Sequence, residues 1–263
     1  MKKAAGTLFI LALLGVAAFA FFLWMQGPTY QPPQVMPSDV PPPTAAVEGA
    51  IRYPLPETQN ESLPALGKSD SVAFAMLSEL VGGAAAKQFF QPQEIIRRIV
   101  VTVDNLPRPI VSAQMMPTTP VPGKFRINGK SENLTMAETN FKRYTPFVRL
   151  LDLVDAKQLA EAYIRFYPLF QSAYRDLGYP KGYFNDRLVV VIDHVLAAPP
   201  SEGKIALVQP HIFYKYADPE LESLSAGHKL MIRMGNDNAQ RVKAKLREIR
   251  GELVKGSVTP QRQ

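Results

Sequence analysis

Cysteine is absent from the 263-residue chain. Thiol nucleophiles, thiolate zinc sites and iron–sulfur clusters are therefore excluded, because each of them needs a cysteine sulfur. The absence also agrees with an exported domain that avoids oxidation chemistry.

The short motifs that mark common active sites are missing as well. The chain contains no HExxH, no GxSxG and no glycine-rich phosphate-binding loop. Its three histidines, His194, His211 and His228, lie 17 residues apart, so none forms the i, i+4 pair that binds a metal from one helix. We therefore name no catalytic residue and expect neither a metal nor a cofactor.

Charge is missing from residues 4–25, a run of 22 uncharged and mostly apolar side chains. A helix of this length spans roughly 33 Å, enough to cross a hydrocarbon core of about 30 Å. Lys2 and Lys3 precede the run and no charge follows until Asp39, so the positive-inside rule predicts a cytoplasmic N-terminus. We predict a transmembrane signal anchor over residues 1–25. A signal peptide cleaved at residues 18–20 and a cytoplasmic C-terminal domain are the alternatives.

Proline is concentrated in residues 26–66, which hold ten of the 24 prolines and show no helical or strand periodicity. This composition is typical of a flexible linker of polyproline character. We predict that it spaces the following domain from the bilayer. A proline-rich ligand for another domain is the alternative.

Residues 67–255 show mainly helical periodicity, as in the apolar stripe from Leu159 to Leu177. The proline-rich stretch 107–136 interrupts the helices and predicts a long loop with a small hairpin that turns at Asn128 and Gly129. We predict a single, mainly α domain of about seven or eight helices with one small hairpin or irregular loop region. A disordered tail is expected at residues 256–263.

Prolines also suggest how two of the helices are built. Pro92 and Glu94 are expected in the first turn of a helix that continues to residue 106. The longest helix is expected to begin after Asp155, whose side chain would cap it, and Pro168 predicts a kink or a break near residues 166–167.

The stretch YKYADPELESLSAGHKLMIRMG, residues 214–235, collects several chemically active side chains. Helix signals explain most of them: Asp218 is an N-cap, Arg233 lies in a last turn and Gly235 ends the helix. The spacing of Leu221, Leu224, His228 and Met231 predicts one apolar face, and a second helix follows to form an αα-hairpin. A catalytic set of Ser225, His228 and Asp218 can be written, but any chain with 23 acidic residues allows such a set.

Five residues are our candidates for binding a partner: Arg143, Tyr144, Asp218, His228 and Arg233. Arg143 and Tyr144 come just before Pro146, where a helix boundary is expected and side chains from different elements can meet. The arginine fork suits a carboxylate or phosphate, and tyrosine adds a flat surface with a polar tip. The alternative is that Arg143 pairs with Asp218 and braces the hairpin.

Basic residues outnumber acidic ones by six to two in residues 241–255, RVKAKLREIRGELVK. This is a basic amphipathic helix, which can attract anionic lipid headgroups or simply present a solvated outer face.

The segments LPALGKSDSVAF, IIRRIVVTVDNLP, NFKRYTPFV, YPLFQSAYRDLGYP and YADPELESLSAGHKLMIRMG occur in this order. Together they resemble a proteobacterial family defined only as a domain of unknown function. The resemblance implies a Gram-negative source, one N-terminal transmembrane helix, a proline-rich spacer and a periplasmic domain. It carries no reaction, ligand or catalytic residue.

These observations predict a single-pass inner-membrane protein whose C-terminal domain faces the periplasm. The expected function is a non-catalytic binding or scaffold module whose partner is an envelope protein, a glycan or an anionic lipid. Nucleic acid is not expected as a partner outside the cytoplasm. An envelope hydrolase with an unrecognised active site is the alternative.

Overall fold

Nine α-helices and four short strands form the part of the chain that the structure, a computed structural model, describes: residues 51–56, 63–130, 133–201 and 203–255. The helices are α1 Asp70–Val81, α2 Gly83–Phe89, α3 Ile95–Asn105, α4 Phe141–Leu153, α5 Ala156–Asp176, α6 Phe184–Leu196, α7 Pro219–Ser223, α8 Ala226–Met234 and α9 Asn236–Val254. The strands are β1 Ile127–Asn128, β2 Leu134–Met136, β3 Ala206–Val208 and β4 Lys215–Tyr216. The predicted mainly helical fold is confirmed.

The predicted membrane anchor and the predicted tail lie outside the described residues, as do residues 26–50 and 57–62 of the predicted linker. Within the described ranges, no helix is both long enough and apolar enough to cross a membrane. All described residues belong to one compact unit, Glu48–Gln263.

The longest helix, α5, packs against α3 and α9 and supplies much of the main core. Its predicted stripe is buried at Tyr163, Phe166, Phe170 and Tyr174. The Asp155 carboxylate accepts a hydrogen bond from the Gln158 N–H at 2.8 Å, which confirms the predicted cap. The helix is not divided at Pro168, because buried side chains on both sides of the proline hold it against its neighbours.

The start of α3 differs from the prediction. The helix begins at Ile95, and Glu94 precedes it in a left-handed conformation with a φ of 53°. Asp70 of α1 caps this end, accepting hydrogen bonds from the N–H groups of Glu94 at 2.9 Å and Ile95 at 3.1 Å. The start of α3 is therefore capped by a side chain 24 residues earlier in the sequence, and not by the residues next to it.

The four strands form one antiparallel sheet in the order β1-β2-β3-β4. The predicted hairpin is present as β1 and β2, and Gly129 follows β1 with a φ of +85°. A Cβ atom there would lie 1.9 Å from the Asn133 carbonyl oxygen, so this turn requires glycine. Leu134, Leu207 and Tyr216 point inward and form a second core with Ile232.

Residues 219–234 do not form the single helix predicted between the Asp218 cap and Gly235. The chain leaves the helical conformation at Leu224, whose ψ is 154°, and separates α7 from α8. The Ser225 hydroxyl then caps α8 by accepting a hydrogen bond from the His228 N–H at 3.2 Å. The expected apolar face is therefore shared between two helices, while the second helix of the predicted hairpin is present as α9.

Residues 51–56, which we expected in the flexible linker, contact the helical domain near the start of α6. The Asp186 carboxylate accepts hydrogen bonds from the N–H groups of Arg52 at 3.0 Å and Tyr53 at 2.8 Å. The Asn185 side chain donates to the Tyr53 carbonyl at 2.8 Å. Tyr53 and Leu55 pack against the main core. We call residues 51–56 the docked segment.

Candidate functional site

The five predicted binding residues occupy three places in the structure. Arg143 and Tyr144 lie in the first turn of α4, and the charges of both Arg143 and Arg233 act on the Tyr144 hydroxyl. Asp218 caps α7 by accepting a hydrogen bond from the Glu220 N–H at 2.8 Å. His228 lies on α8 and faces α6. The structure thus brings together three of the five residues.

Arg143 braces a loop and does not pair with Asp218. Its guanidinium donates hydrogen bonds to the carbonyl oxygens of Pro122 at 2.9 Å and Gly123 at 2.8 Å, and to the Asn140 side chain at 3.2 Å. The predicted ion pair is wrong, and Arg143 contacts the loop before β1 instead of the hairpin that it was expected to brace. The donors of this guanidinium are directed at the proline-rich loop before β1.

Tyr144, Tyr216 and Arg233 form a cluster of aromatic rings beside one guanidinium. The Arg233 guanidinium carbon lies 5.9 Å from the centroid of the Tyr216 ring. Burial raises the pKa of Tyr144 and of Tyr216, and the Arg233 charge opposes the shift in both. Arg233 is exposed, so its charge is accessible to solvent.

The closest approach to a catalytic arrangement joins Ser225, His194 and His228. The Ser225 hydroxyl oxygen lies 2.8 Å from His194 Nε2, and the two imidazole rings stack with their centroids 4.1 Å apart. His228 Nε2 lies 2.7 Å from the His194 carbonyl oxygen. Since a carbonyl only accepts, His228 Nε2 carries a proton. Burial lowers the pKa of His194, and the charges of His228 and Arg187 lower it further.

The surroundings of Ser225 do not favour acyl transfer. An oxyanion would need unoccupied N–H donors near this helix start. The Ala226 N–H instead donates to the Arg108 carbonyl at 2.7 Å, and the Gly227 N–H donates to the Leu106 carbonyl at 2.8 Å. In the described part of the chain no carboxylate is hydrogen-bonded to His194. The Asp218 carboxylate caps the start of α7 instead. The catalytic set of Ser225, His228 and Asp218 is not assembled.

Asp104 is the centre of a polar network that the sequence analysis missed. The residue is 2% exposed. Its carboxylate accepts hydrogen bonds from Arg187 Nε at 2.9 Å, Arg108 Nη2 at 2.7 Å and the Tyr179 hydroxyl at 3.2 Å. Burial and the Asp104 charge raise the pKa of Tyr179. The network ties α3 to α6 and to the end of α5, and its carboxylate is fully paired. Two features of the sequence could have indicated this network: an acid on the apolar stripe of α3, and Arg108 four residues after that acid.

The described ranges contain no cluster of three or more His, Asp or Glu side chains that could hold a metal ion. They do contain an apolar cavity of about 230 Å³ between α3, α6, α8 and α9. Six of its lining residues are Val191, Ile192, Val195, Met231, Met234 and Val242. Its wholly apolar lining makes it the candidate site for an apolar ligand.

Two cations of α9 adjoin the cavity-lining residues of that helix. Lys243 follows Val242, and its ammonium donates to the Ala198 carbonyl at 2.6 Å, just beyond the end of α6. Arg247 follows Leu246, which also lines the cavity. Burial lowers the pKa of Lys243, and the Arg247 charge lowers it further. Neither cation forms an ion pair with another described residue, whereas Arg241 pairs with Asp152 and Arg250 with Asp193.

Comparison with known proteins identifies a family but no function. No curated protein and no solved structure matches the chain. A family model described as "Protein of unknown function (DUF3014)" matches residues 95–250, from the start of α3 to within the last turns of α9. This match covers more than half of the chain and includes the cavity, the histidine pair and the Asp104 network. It also confirms the predicted resemblance to a family of unknown function. The chain therefore belongs to the DUF3014 family.

Proposed function

We propose that the domain is a non-catalytic binding module for an anionic amphiphile, a molecule with an aliphatic tail and a negatively charged head. The observation that carries this proposal is the apolar cavity of about 230 Å³ between α3, α6, α8 and α9. The same module would be held at the periplasmic face of the inner membrane by residues 4–25.

The cavity suits an aliphatic tail because its lining offers almost no polar partner. Every lining residue is aliphatic, methionine or glycine. An apolar cavity of about 150 Å³ in another protein stays dry and binds benzene, so a larger one has room for a short hydrocarbon chain. Met231 and Met234 add flexible, polarisable side chains that adapt to such a ligand.

An anionic head is favoured by Lys243 and Arg247. The two side chains lie four residues apart on one face of α9, where their like charges repel. A carboxylate or phosphate near them would relieve this repulsion and accept hydrogen bonds from both. Both cations directly follow cavity-lining residues, Val242 and Leu246, in the sequence of α9.

Membrane attachment is supported by the uncharged run of 22 residues and by the two lysines that precede it. A reporter that is active only outside the cytoplasm should work when fused after Leu66. Activity of a cytoplasm-only reporter at the same position would contradict the proposed orientation.

Ligand binding can be tested with the fragment 48–263 and decanoate, followed by calorimetry and thermal melting. The fragment should bind decanoate and melt at a higher temperature in its presence. Val191→Phe places a larger side chain into the cavity and should abolish binding. Val190→Phe, a substitution of the exposed neighbouring residue, is the matched control and should bind as the parent fragment does.

The charge requirement is tested with decyltrimethylammonium, which has the same tail and a cationic head. It should bind more weakly than decanoate. Replacing both Lys243 and Arg247 with Gln should remove the difference between the two ligands. Equal decanoate binding by the Val191→Phe and Val190→Phe variants would show that the cavity is not the site.

A further inference from the structure

Exposed apolar side chains are concentrated on the hairpin formed by β3 and β4. Ile212 and Phe213, neighbours in its loop, are 82% and 80% exposed, and Val208 at the end of β3 is 44% exposed. These three are among only eight large apolar side chains that are exposed in the described ranges. We call Val208, Ile212 and Phe213 the apolar tip.

The loop that carries the apolar tip is held by its own contacts. The Gln209 side chain donates a hydrogen bond to the Ile212 carbonyl at 3.2 Å. Tyr214 turns back toward the sheet, and its ring centroid lies 5.9 Å from that of Phe125. Because these contacts fix both sides of the loop, Ile212 and Phe213 project outward from an ordered support.

Two exposed lysines lie at the end of the sheet that carries the apolar tip. Lys215 stands directly opposite Val208 in the register of β3 and β4. The antiparallel order also places the loop after β1, with Lys130, at the same end of the sheet as the loop after β3. Lys130 and Lys215 are both exposed, and neither forms an ion pair with another described residue. This end of the sheet therefore combines the apolar tip with two exposed lysines.

We infer that the apolar tip inserts into the surface of an anionic phospholipid bilayer. A projecting Ile-Phe pair can enter the boundary between headgroups and acyl chains, while flanking lysines remain at the level of the anionic headgroups. The formal net charge of the chain, +7, favours the same surface. This inference rests on the membrane attachment proposed above, which brings the domain to the bilayer, but not on the cavity.

The absence of cysteine permits a direct test, because Phe213→Cys introduces a single thiol into the full chain. The thiol is labelled with an environment-sensitive fluorophore, and the full-length protein is reconstituted into vesicles of phosphatidylglycerol and phosphatidylcholine. Leu153→Cys is the control: this side chain is 81% exposed at the end of α4, a helix that begins near the opposite end of the sheet. Brominated lipids then report contact with the acyl chains.

We expect the label at position 213 to shift to shorter wavelength and to lose emission with brominated lipids, and the label at 153 to do neither. Pure phosphatidylcholine, or the added changes Lys130→Glu and Lys215→Glu, should reduce both effects. Position 213 remaining solvated in anionic vesicles would overturn the inference. A shift that depends on protein density and is insensitive to brominated lipid would overturn it too, since a second copy would then cover the tip.

Sedimentation of the reconstituted protein separates this inference from the attachment on which it rests. Protein that fails to sediment with the vesicles lacks the anchor, and the proposed function fails in that respect. Protein that sediments while the label at 213 stays solvated leaves the anchor intact and rejects only the insertion of the apolar tip.

Discussion

The imidazole rings of His194 and His228 lie parallel, 4.1 Å apart at their centroids and inclined by only 7°. One ring comes from the last turn of α6 and the other from α8, so the pair joins two helices that line the apolar cavity. Neutral rings can stack at this distance, whereas two protonated rings would repel each other. The histidine pair therefore makes the junction sensitive to protons.

The first prediction is that stability falls in acid because of His194. Burial lowers the pKa of His194 in the folded protein below its ordinary 6.5. The unfolded chain then takes up a proton more readily, so this contribution is present above pH 6.5 and is lost as the pH falls below that value. The free energy of unfolding, measured with urea from about pH 8 to about pH 5, should decline less in His194→Gln than in the parent.

His211 provides the control for this prediction, because it lies exposed in the loop of the apolar tip. His211→Gln should leave the pH dependence unchanged. Identical curves for the His194→Gln variant and the parent would show that the histidine pair does not couple to folding.

The second prediction concerns the buried carboxylate of Asp104. Asp104→Asn removes the negative charge between Arg108 and Arg187 and should lower the free energy of unfolding by about 3–5 kcal/mol. Asp176→Asn breaks the exposed pair with Arg97 and should cost about 1 kcal/mol or less. Chemical denaturation of both variants checks the difference, and equal losses would contradict the central role of Asp104.

A third prediction separates bracing from ligand binding at Arg143. Arg143→Ala should lower the free energy of unfolding by about 2–3 kcal/mol, since the carbonyl oxygens of Pro122 and Gly123 lose charged donors. Arg143→Lys should recover only part of this loss, because an ammonium cannot reproduce the guanidinium fork.

Arg149→Ala on the same helix is the control for Arg143, since Arg149 is exposed and forms no ion pair with another described residue. It should melt as the parent does. If Arg143→Ala also kept the parent's melting temperature, bracing would be rejected and a ligand-binding role for Arg143 would be restored.

The fourth prediction is that the docked segment stabilises the domain. A fragment that begins at residue 67 should be soluble and helical, but it should melt at least about 4 °C below the fragment 48–263. Within the longer fragment, Asp186→Ala removes the acceptor of the Arg52 and Tyr53 N–H groups and should reproduce part of this loss.

Asp176→Ala offers a matched control, because Asp176 forms an exposed ion pair with Arg97, away from the docked segment. Hydrogen exchange provides a second measurement: the Tyr53 amide should be protected in the parent and should exchange rapidly in Asp186→Ala. A Tyr53 amide that exchanges rapidly in both proteins would show that the segment does not dock.

The helices were largely predictable from sequence because each carries its own signals. The stripe of α5 and its Asp155 cap are examples in which residues close in sequence determine the element. The strands were harder to predict because two or three residues are too few to show an alternating pattern. At Leu224 the periodicity was misleading, because the apolar spacing continues across a break that the Ser225 cap creates.

The candidate sites depend on contacts between residues distant in sequence, which local patterns do not specify. Asp104 and Arg187 are separated by 83 residues, and His228 and the His194 carbonyl by 34. Arg143, Tyr144 and Arg233 were selected for their chemistry alone, and their proximity appears only once α4 and α8 pack together. The cavity is less predictable still, since its aliphatic lining has the same composition as an ordinary core.

Under the membrane attachment proposed above, the docked segment would shorten the stretch of chain between the anchor and the domain. With an anchor ending at residue 25, a free linker up to residue 66 would contain 41 residues, whereas docking at residue 51 leaves 25. Fully extended, these lengths correspond to about 140 Å and about 85 Å. Because accessible volume varies with the cube of the radius, docking confines the domain to about one quarter of the space. Under that attachment, the four hydrogen bonds at one end of α6 would raise the frequency with which the domain meets the bilayer surface.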